Sequence, residues 1–251
     1  MKDMLRGWRV WVSRPARQAR GLCALIEDAG GEALCLPALE IRPVSLDWSP
    51  VGDSDWLIFV SRNAVEQAFE QCPDLARRAG RIAAIGRATR AALRQRNITV
   101  AAMPAAGFDS ESLLRLAAFR DIAGQRVSIV KGWGGRALLA DTLRRRGAQV
   151  ASIEVYRRAP PVYSAETLRR TFADGLDAMT ATSGEVLDNM SRLLGERRAL
   201  YDVPLIVVSR RVADRAARLG FTRVEVSREP GDEALFQALV EQRGRHATGR
   251  P

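Results

Sequence analysis

Short apolar runs alternate with amphipathic stretches along the whole 251-residue chain. Most runs end at Gly or Ser, and the stretch that follows each of them has its apolar positions at helical spacing. This alternation is typical of parallel sheets with helices on both faces, so the pattern predicts an α/β protein. The predicted strands are residues 8–13, 32–37, 56–61, 81–86, 98–103, 126–131, 149–153, 176–182, 204–209 and 223–227.

An internal repeat divides these strands into two sets of five. Three strand–helix units in the middle of the chain align with three units near its end, so that Ser61 matches Ser183 and Gly86 matches Ser209. The strand–helix–strand unit at the N-terminus aligns in the same way with residues 126–153. Because a near-constant offset that carries several units indicates a duplicated structure, the sequence predicts two five-stranded α/β domains.

The order of the repeated units predicts that one domain is inserted into the other. We expect the first domain to consist of residues 1–36 and 160–251, and the inserted domain of residues 43–152. The chain crosses between them through residues 37–42 and 153–159, which are short and rich in β-forming residues. We expect these two segments to pair as a two-stranded β-ladder that acts as a hinge and closes a ligand-binding cleft.

The composition adds a strong positive charge to this picture. The chain has 39 basic and 29 acidic residues, a formal net charge of +10, and Lys2 and Lys131 are its only lysines. This charge favours an anionic partner such as a polyphosphate, a nucleic acid or a polycarboxylate. The five tryptophans form no stacking stripe. We therefore predict no nucleic-acid partner.

Histidine, cysteine and membrane signals argue against several classes of protein. His246 is the only histidine and lies in a polar tail that we expect to be frayed, which disfavours catalytic triads and histidine-bound metals. Cys23, Cys35 and Cys72 are an odd number without metal-ligand spacing, so we expect neither a disulfide framework nor a metal site. The sequence shows neither a membrane-spanning run nor a signal-peptide core, which predicts a cytoplasmic protein with no membrane partner.

Small polar residues and glycines follow four of the predicted strands, where helices begin. Ligands of open α/β sheets bind at the carboxyl ends of the strands, so these residues are predicted to line the cleft and to donate hydrogen bonds to an anionic ligand. The alternative for each serine or threonine is an ordinary helix N-cap. The candidate binding residues are Ser61, Asn63, Gly86, Thr89, Ser183, Gly184 and Ser209.

A glycine-rich turn follows the strand at residues 126–131. Gly132, Gly134 and Ala137 match the dinucleotide-binding pattern, and Glu154 lies near the position of a ribose-binding acid. Two other interpretations are an anion-binding turn at a helix N-terminus and a purely structural tight turn. If the turn binds an anion, Gly134 is a candidate binding residue.

Arginines stand at equivalent strand-to-helix turns of the two predicted domains. Arg136 lies in the first turn of the helix predicted after the glycines, and Arg14 lies at the matching turn, which contains no glycine. The missing glycines argue against a dinucleotide site. We predict that both guanidinium groups bind an anionic ligand.

Tyr156 lies in the second predicted connecting segment, from which a closing cleft would bring it toward the ligand. A phenol is protonated at neutral pH and can donate a proton to a leaving oxygen. The alternative is a strand tyrosine that only packs against the ladder. Tyr156 is the candidate catalytic residue.

The order and spacing of these motifs resemble the uroporphyrinogen-III synthase family. The similarity extends over residues 8–240. The residues that carry it include Ser13, Arg14 and Pro15; Leu36 and Pro37; residues 61–65; Ile85, Gly86 and Thr89; residues 132–136; Val155 and Tyr156; and Thr182 and Ser183.

The resemblance implies a monomeric enzyme without a cofactor, built from two flavodoxin-like domains joined by a β-ladder. Its substrate would be hydroxymethylbilane, an open tetrapyrrole with eight carboxylates, which the family closes to uroporphyrinogen III with inversion of ring D and loss of water. The family's tyrosine corresponds to Tyr156, and its binding positions correspond to Ser61, Thr89 and Ser183. A transient contact with the deaminase of the preceding step belongs to the same expectation.

The physical requirements of that reaction agree with the residues. Arginines and helix N-termini suit a ligand with many carboxylates, and holding one ring in place is catalysis by positioning. The alternative is a hinged two-domain ligand-binding or sensor protein without catalysis.

Overall fold

The computed structural model describes residues 3–248, apart from the side chains of residues 50 and 246–248. The chain forms two compact units, and it passes between them at Glu40 and Ile41 and again at Arg158 and Ala159. Both crossings lie inside the predicted connecting segments, residues 37–42 and 153–159. Each unit contains a five-stranded sheet. The α/β class with two sheets of mainly parallel strands is confirmed.

Strands and helices alternate through most of the chain. Within residues 3–248 the strands are β1 (Arg9–Val12), β2 (Glu32–Leu34), β3 (Glu40–Pro43), β4 (Ser54–Phe59), β5 (Ala79–Ala84), β6 (Arg126–Gly132), β7 (Gln149–Ala159), β8 (Ala178–Ala181), β9 (Leu205–Val207) and β10 (Val224–Val226). The α-helices of the same part are α1 (Ala16–Asp28), α2 (Arg62–Gln71), α3 (Arg87–Arg94), α4 (Ser110–Leu114), α5 (Leu138–Arg145), α6 (Ala165–Thr171), α7 (Gly184–Leu194), α8 (Arg210–Arg218) and α9 (Asp232–Thr248). Short 3₁₀ helices occupy Ser49–Val51, Leu75–Arg78, Ala117–Phe119 and Arg198–Asp202.

Unit 1 has the strand order β2-β1-β8-β9-β10, and its neighbouring strands are all parallel. In order of appearance within the unit this is 2-1-3-4-5, an order known from doubly wound folds. Alternate residues of β1 face opposite sides of the sheet. Val10 and Val12 pack in a core that includes residues of α1 and α9, whereas Trp11 packs with residues of α7 and with Phe172, 5.1 Å between ring centroids.

Unit 2 has the order β3-β7-β6-β4-β5, with β4 to β7 parallel. Trp56 and Ile58 of β4 belong to the core on one face, and Leu57 and Phe59 belong to the core on the other. The central strands are buried on both faces, which explains why the sequence shows them as continuous apolar runs.

The composition of the second sheet differs from the prediction. Residues 98–103 were predicted to be a full strand, but they contribute only an isolated bridge between Ala83 and Ala102. Ala101 N–H donates to Ile82 O and Ala84 N–H donates to Ala102 O, so adjacent residues, rather than alternate ones, bond to β5 and no regular ladder continues. The fifth place in the sheet is taken by β3.

The two predicted connecting segments are neighbours, because β3 lies beside β7. They are not a separate ladder. β7 is one strand of 11 residues that begins inside the sheet of unit 2 and runs through the second segment, and β3 forms the edge of the same sheet.

Two expectations about side chains and the tail were wrong. Cys23 and Cys35 form a disulfide between α1 and the segment after β2, because the fold brings the end of that strand beside the helix. Cys72 is free, and burial raises the pKa of its thiol. The backbone of α9 continues through Thr248, so the polar tail is helical there; the side chain of His246 lies outside the described residues.

The described residues contain neither a membrane-spanning helix nor a cluster of metal ligands. No helix in residues 3–248 is long and apolar enough to cross a membrane. The same residues contain no group of three or more His, Cys, Asp or Glu side chains arranged to hold a metal ion.

Candidate active site

A cavity of about 410 Å³ in unit 2 lies where β4, β6 and β7 end. The sequence-predicted residues Ser61, Gly134, Arg136 and Tyr156 all line it. Their strands are parallel neighbours in the sheet, which explains why residues far apart in the sequence meet at one edge. Its other polar lining includes the basic side chains Lys131, Arg144 and Arg158.

Ser61 and Tyr156 are in direct contact. Ser61 caps α2, and its Oγ accepts a hydrogen bond from Ala64 N–H at 3.1 Å. The same Oγ lies 3.2 Å from Tyr156 Oη, so that the two hydroxyls share a hydrogen bond. Tyr156 is only 4% exposed. β7 therefore places a buried phenol at the cavity, with its oxygen held by a helix cap.

Gly132 is a site residue that the candidate binding set missed. A β-carbon on Gly132 would lie 2.6 Å from Tyr156 Cζ and 2.9 Å from its Oη. Trp133 N–H donates to Tyr156 O at 2.7 Å, so this part of the chain holds both the ring and the backbone of the tyrosine. The sequence signal was present, since Gly132 opens the glycine pattern, but none of the three interpretations of that pattern placed Gly132 against Tyr156.

The glycine turn continues with two residues in the left-handed region, Gly134 at φ 72° and Gly135 at φ 81°. Gly134 N–H does not point to an empty anion site, because it donates to Glu154 Oε1 at 3.2 Å. Lys131 Nζ lies 3.7 Å from the same carboxylate oxygen. The acid that the dinucleotide pattern assigned to a ribose therefore bonds to the turn itself.

Arg136 lines the cavity but does not lie in a helix. α5 begins at Leu138 with Ala137 as its cap, so the sequence prediction that Arg136 belongs to the first helical turn was wrong. The two preceding glycines have positive φ angles, which are not helical, so the helix begins at Leu138, two residues after Arg136. The guanidinium group forms two hydrogen bonds to the Glu111 carboxylate, at 2.5 and 3.2 Å, and its side chain is 66% exposed.

The remaining candidates of unit 2 lie near the cavity without lining it. Gly86 caps α3, and a β-carbon there would touch Phe108, which does line the cavity. Thr89 is in α3 and only 4% exposed. Asn63 is half-buried in α2. Their roles in binding stay predictions.

The candidates of unit 1 lie at the ends of β8, β9 and β1. Ser183 caps α7, where its Oγ accepts the Val186 N–H at 3.2 Å, and Gly184 is the first residue of that helix. Ser209 caps α8 in the same way and accepts the Val212 N–H at 3.4 Å. The N-cap interpretation therefore describes both serines, and their binding of a ligand stays a prediction.

Arg14 has an intramolecular partner. Its guanidinium group pairs with Asp232, the first residue of α9, and also donates to Gln18 O. The side chain is 10% exposed, and Nε is the one buried side-chain nitrogen or oxygen in the described part of the chain without a hydrogen-bond partner. This burial is unlike the open position of Arg136.

One carboxylate of the cavity has a perturbed pKa. Asp109 caps α4, and hydrogen bonds from the hydroxyl and the backbone N–H of Ser112 hold its pKa below the usual range, with smaller contributions from Arg115 and Arg136. Asp109 is therefore ionised at neutral pH. The cavity lining still carries more positive than negative groups, which favours an anionic ligand.

Comparison with known proteins identifies the family. A family model described as uroporphyrinogen-III synthase HemD matches residues 21–237. The uroporphyrinogen-III synthase of Escherichia coli K12 is 32% identical over 243 residues, which covers 92% of this chain and 99% of that protein. The chain belongs to the uroporphyrinogen-III synthase family.

Solved structures of family members have the same fold. The uroporphyrinogen-III synthetase of Helicobacter pylori 26695 superposes with a TM-score of 0.64 at 15% identity, covering 94% of this chain and 99% of that one. A mutant uroporphyrinogen III synthase from Thermus thermophilus gives a TM-score of 0.58 at 18% identity, covering 95% and 100%. These likenesses show a shared fold.

Membership of the uroporphyrinogen-III synthase family confirms the assignment made from the sequence motifs. It confirms with it the enzyme class, a cyclising lyase of tetrapyrrole biosynthesis.

Proposed function

We propose that this chain cyclises hydroxymethylbilane to uroporphyrinogen III at the cavity of unit 2, with Tyr156 as the proton donor. One observation carries the proposal. The phenol of Tyr156, held 3.2 Å from Ser61 Oγ, lies at the ends of three parallel strands in a cavity whose charged lining residues are mainly basic.

The charge of the cavity supports a substrate with many carboxylates. Lys131, Arg136, Arg144 and Arg158 all line it, and Asp109 is its single acidic lining residue in the described part of the chain. Charged hydrogen bonds to carboxylates are about twice as strong as neutral ones, so several of them would fix the orientation of a flexible chain of four pyrroles. Orientation is what the reaction needs most.

The chemistry of ring closure asks for only a weak acid. The hydroxyl of the substrate's hydroxymethyl group leaves with assistance from the pyrrole nitrogen, while the methylene carbon stays to close the ring, and a phenol can donate the proton that turns the departing hydroxyl into water. Tyr156 then becomes a phenolate that regains a proton later in the cycle. The Ser61 hydroxyl, 3.2 Å from the phenol oxygen, is placed to donate a hydrogen bond to that phenolate.

The choice of isomer depends on positioning. A free hydroxymethylbilane closes end to end to isomer I, whereas formation of isomer III requires the substituted carbon of ring D to attack. Holding ring D in the productive geometry and excluding water lowers the barrier of the second route relative to the first.

We extend the proposal to unit 1 and to the connection. α7 and α8 begin directly after β8 and β9, at Ser183, Gly184 and Ser209. The backbone N–H groups at these two helix N-termini suit carboxylates of the same substrate. The adjacent strands β3 and β7 would act as the hinge of two flavodoxin-like domains. Since the free substrate cyclises to the wrong isomer, a transient contact with the preceding deaminase would shorten its exposure to water.

The direct test is an isomer assay. The protein is incubated with freshly generated hydroxymethylbilane, the products are oxidised, and uroporphyrins I and III are separated. The proposal expects isomer III to predominate. With a hinged binding or sensor protein that has no catalytic activity, the substrate would close on its own and isomer I would be the main product.

A further inference from the structure

Lys131 is a basic residue of the cavity whose charge is already matched within the chain. It lies near the end of β6 opposite Glu154 of β7, and its ammonium nitrogen lies 3.7 Å from Glu154 Oε1. The same oxygen accepts a hydrogen bond from Gly134 N–H at 3.2 Å. One internal carboxylate thus forms an ion pair with Lys131 and a hydrogen bond with Gly134, two neighbouring cavity groups that are suited to a substrate carboxylate.

We propose that Glu154 determines the affinity of the cavity for carboxylates, because it occupies the positions on Lys131 and Gly134 that a substrate carboxylate takes when it binds. The inference rests on the proposed function, since it presumes that the cavity takes a polycarboxylate. Binding is then an exchange, in which one carboxylate leaves Lys131 as another arrives.

The geometry permits this exchange. The Lys131 side chain is 18% exposed and that of Glu154 is 30% exposed, so the pair is near the surface and not sealed in the core. Glu154 itself is not part of the cavity lining, whereas Lys131 and Gly134 are. Its carboxylate can therefore swing outward while both of its partners stay in the cavity.

An internal competitor lowers the apparent affinity. A tethered carboxylate acts at a high effective concentration, and every substrate carboxylate that approaches Lys131 competes with it. The pair is partly screened by solvent, so the effect is modest. It also favours a ligand with several carboxylates, since a ligand with one carboxylate cannot offset the loss of the Lys131–Glu154 pair through contacts elsewhere.

The first test is Glu154→Gln. The amide oxygen can still accept the Gly134 N–H, so the turn keeps its bond, but the negative charge opposite Lys131 is removed. We expect KM for hydroxymethylbilane to fall roughly twofold to fivefold, the range of a partly screened ion pair, with kcat unchanged. KM should also rise more steeply with salt than in the wild type, because a freed ammonium group binds the substrate electrostatically.

The matched control is Glu166→Gln. Glu166 lies on α6 in unit 1 and pairs with Arg169 and Arg170 on the surface, so this change removes an equal charge from an ion pair of the other unit. Its KM and salt dependence should equal those of the wild type. An unchanged or raised KM in Glu154→Gln would show that Glu154 only holds the turn, and would overturn the inference.

The second test needs no variant. Lys2 and Lys131 are the only lysines of the chain, so protein labelled with ¹⁵N at the lysine side chains gives at most two ammonium signals. Uroporphyrin III, an oxidised product with eight carboxylates, serves as the probe. We expect the signal assigned to Lys131 to shift on saturation with the probe, and to be already displaced in Glu154→Gln without it.

The two tests separate the inference from the proposed function. If the wild type forms isomer III but the Lys131 signal stays constant at saturation, the function stands and the inference is wrong. If isomer I is the main product with the wild type while the Lys131 signal shifts with the probe, the carboxylate exchange stands and the proposed function is wrong.

Discussion

The ring of Tyr156 occupies the space where Gly132 would carry a side chain. A β-carbon on Gly132 would lie 2.6 Å from Cζ of the tyrosine, closer than real β-carbons approach any atom. Strand register explains the contact, because an irregularity in the pairing of β6 with β7 brings Gly132 opposite Tyr156 directly after Lys131 pairs with Glu154. The first glycine of the turn is therefore required by the candidate catalytic residue.

Gly132→Ala should displace the phenol from Ser61. We expect a lower kcat, and a loss of stability of about 1–3 kcal/mol because the added methyl group overpacks a buried contact. Turnover and chemical denaturation of the same protein samples measure the two effects. Gly244→Ala is the control, because a β-carbon there meets nothing within 4 Å and alanine favours the helix. Full activity in Gly132→Ala would mean that the position of the tyrosine ring is unimportant.

Ser61→Ala removes both a helix cap and the hydrogen-bond partner of Tyr156. The lost cap should lower the free energy of unfolding by about 0.5–2 kcal/mol. Ser164→Ala removes a comparable cap from α6, where Ser164 accepts the Thr167 N–H at 3.0 Å, and should cost a similar amount of stability. Only Ser61→Ala should also lower kcat. Equal activity in the two variants would indicate that Ser61 is a cap and nothing more.

Arg136 and Arg14 should differ when each is replaced by Ala. Arg136 is exposed at the cavity, so Arg136→Ala should raise KM about twofold to fivefold and leave the melting temperature unchanged. Arg14→Ala leaves the Asp232 carboxylate without its cation, so it should lower the melting temperature. Measurement of KM and thermal unfolding for both variants decides the matter. A KM effect in Arg14→Ala at unchanged stability would instead support its predicted role as a ligand-binding residue.

Asp109 should make stability depend on pH in the acidic range. Its pKa in the folded protein is lowered by the hydroxyl and N–H of Ser112, so the folded state favours the charged form. The stabilisation is complete above the unfolded pKa of about 3.9 and is lost as the pH falls through the folded value. The difference in stability between the wild type and Asp109→Asn, measured by denaturation at several pH values, should shrink as the pH falls below about 4. A difference that stays constant from neutral to acidic pH would contradict this assignment.

The sequence predicted the fold well where the pattern is local. The alternation of apolar and amphipathic stretches locates nine of the ten strands, and the internal repeat indicates two sheets of five. Residues 98–103 have the apolar pattern of a strand but pair irregularly with β5, and β3 joins the sheet in their place. Which segment occupies an edge position depends on tertiary contacts that periodicity does not report.

The site was predicted only in part, because local patterns locate strand ends but not the contacts between distant residues. Residues after strands were identifiable because parallel strands end at one edge, and Ser61, Gly134, Arg136 and Tyr156 do meet at one cavity. The contact of Glu154 with Gly134 depends on the register of β6 and β7, which the sequence does not contain. The pairing of Arg14 with Asp232 joins residues 218 positions apart, and no local pattern signals it.

The central claim is that Tyr156 donates the proton while the cavity chooses the isomer. Tyr156→Phe tests it most directly, with kcat and the ratio of uroporphyrins III and I measured together and the fold checked by circular dichroism. General-acid assistance contributes about 10²-fold to 10⁴-fold in typical enzymes. Because the hydroxymethylpyrrole ionises readily, the loss of kcat should fall at or below the low end of that range. Isomer III should remain the main product. Full kcat with an intact fold would show that the tyrosine is structural, and release of mainly isomer I would show that it orients the substrate instead of donating a proton.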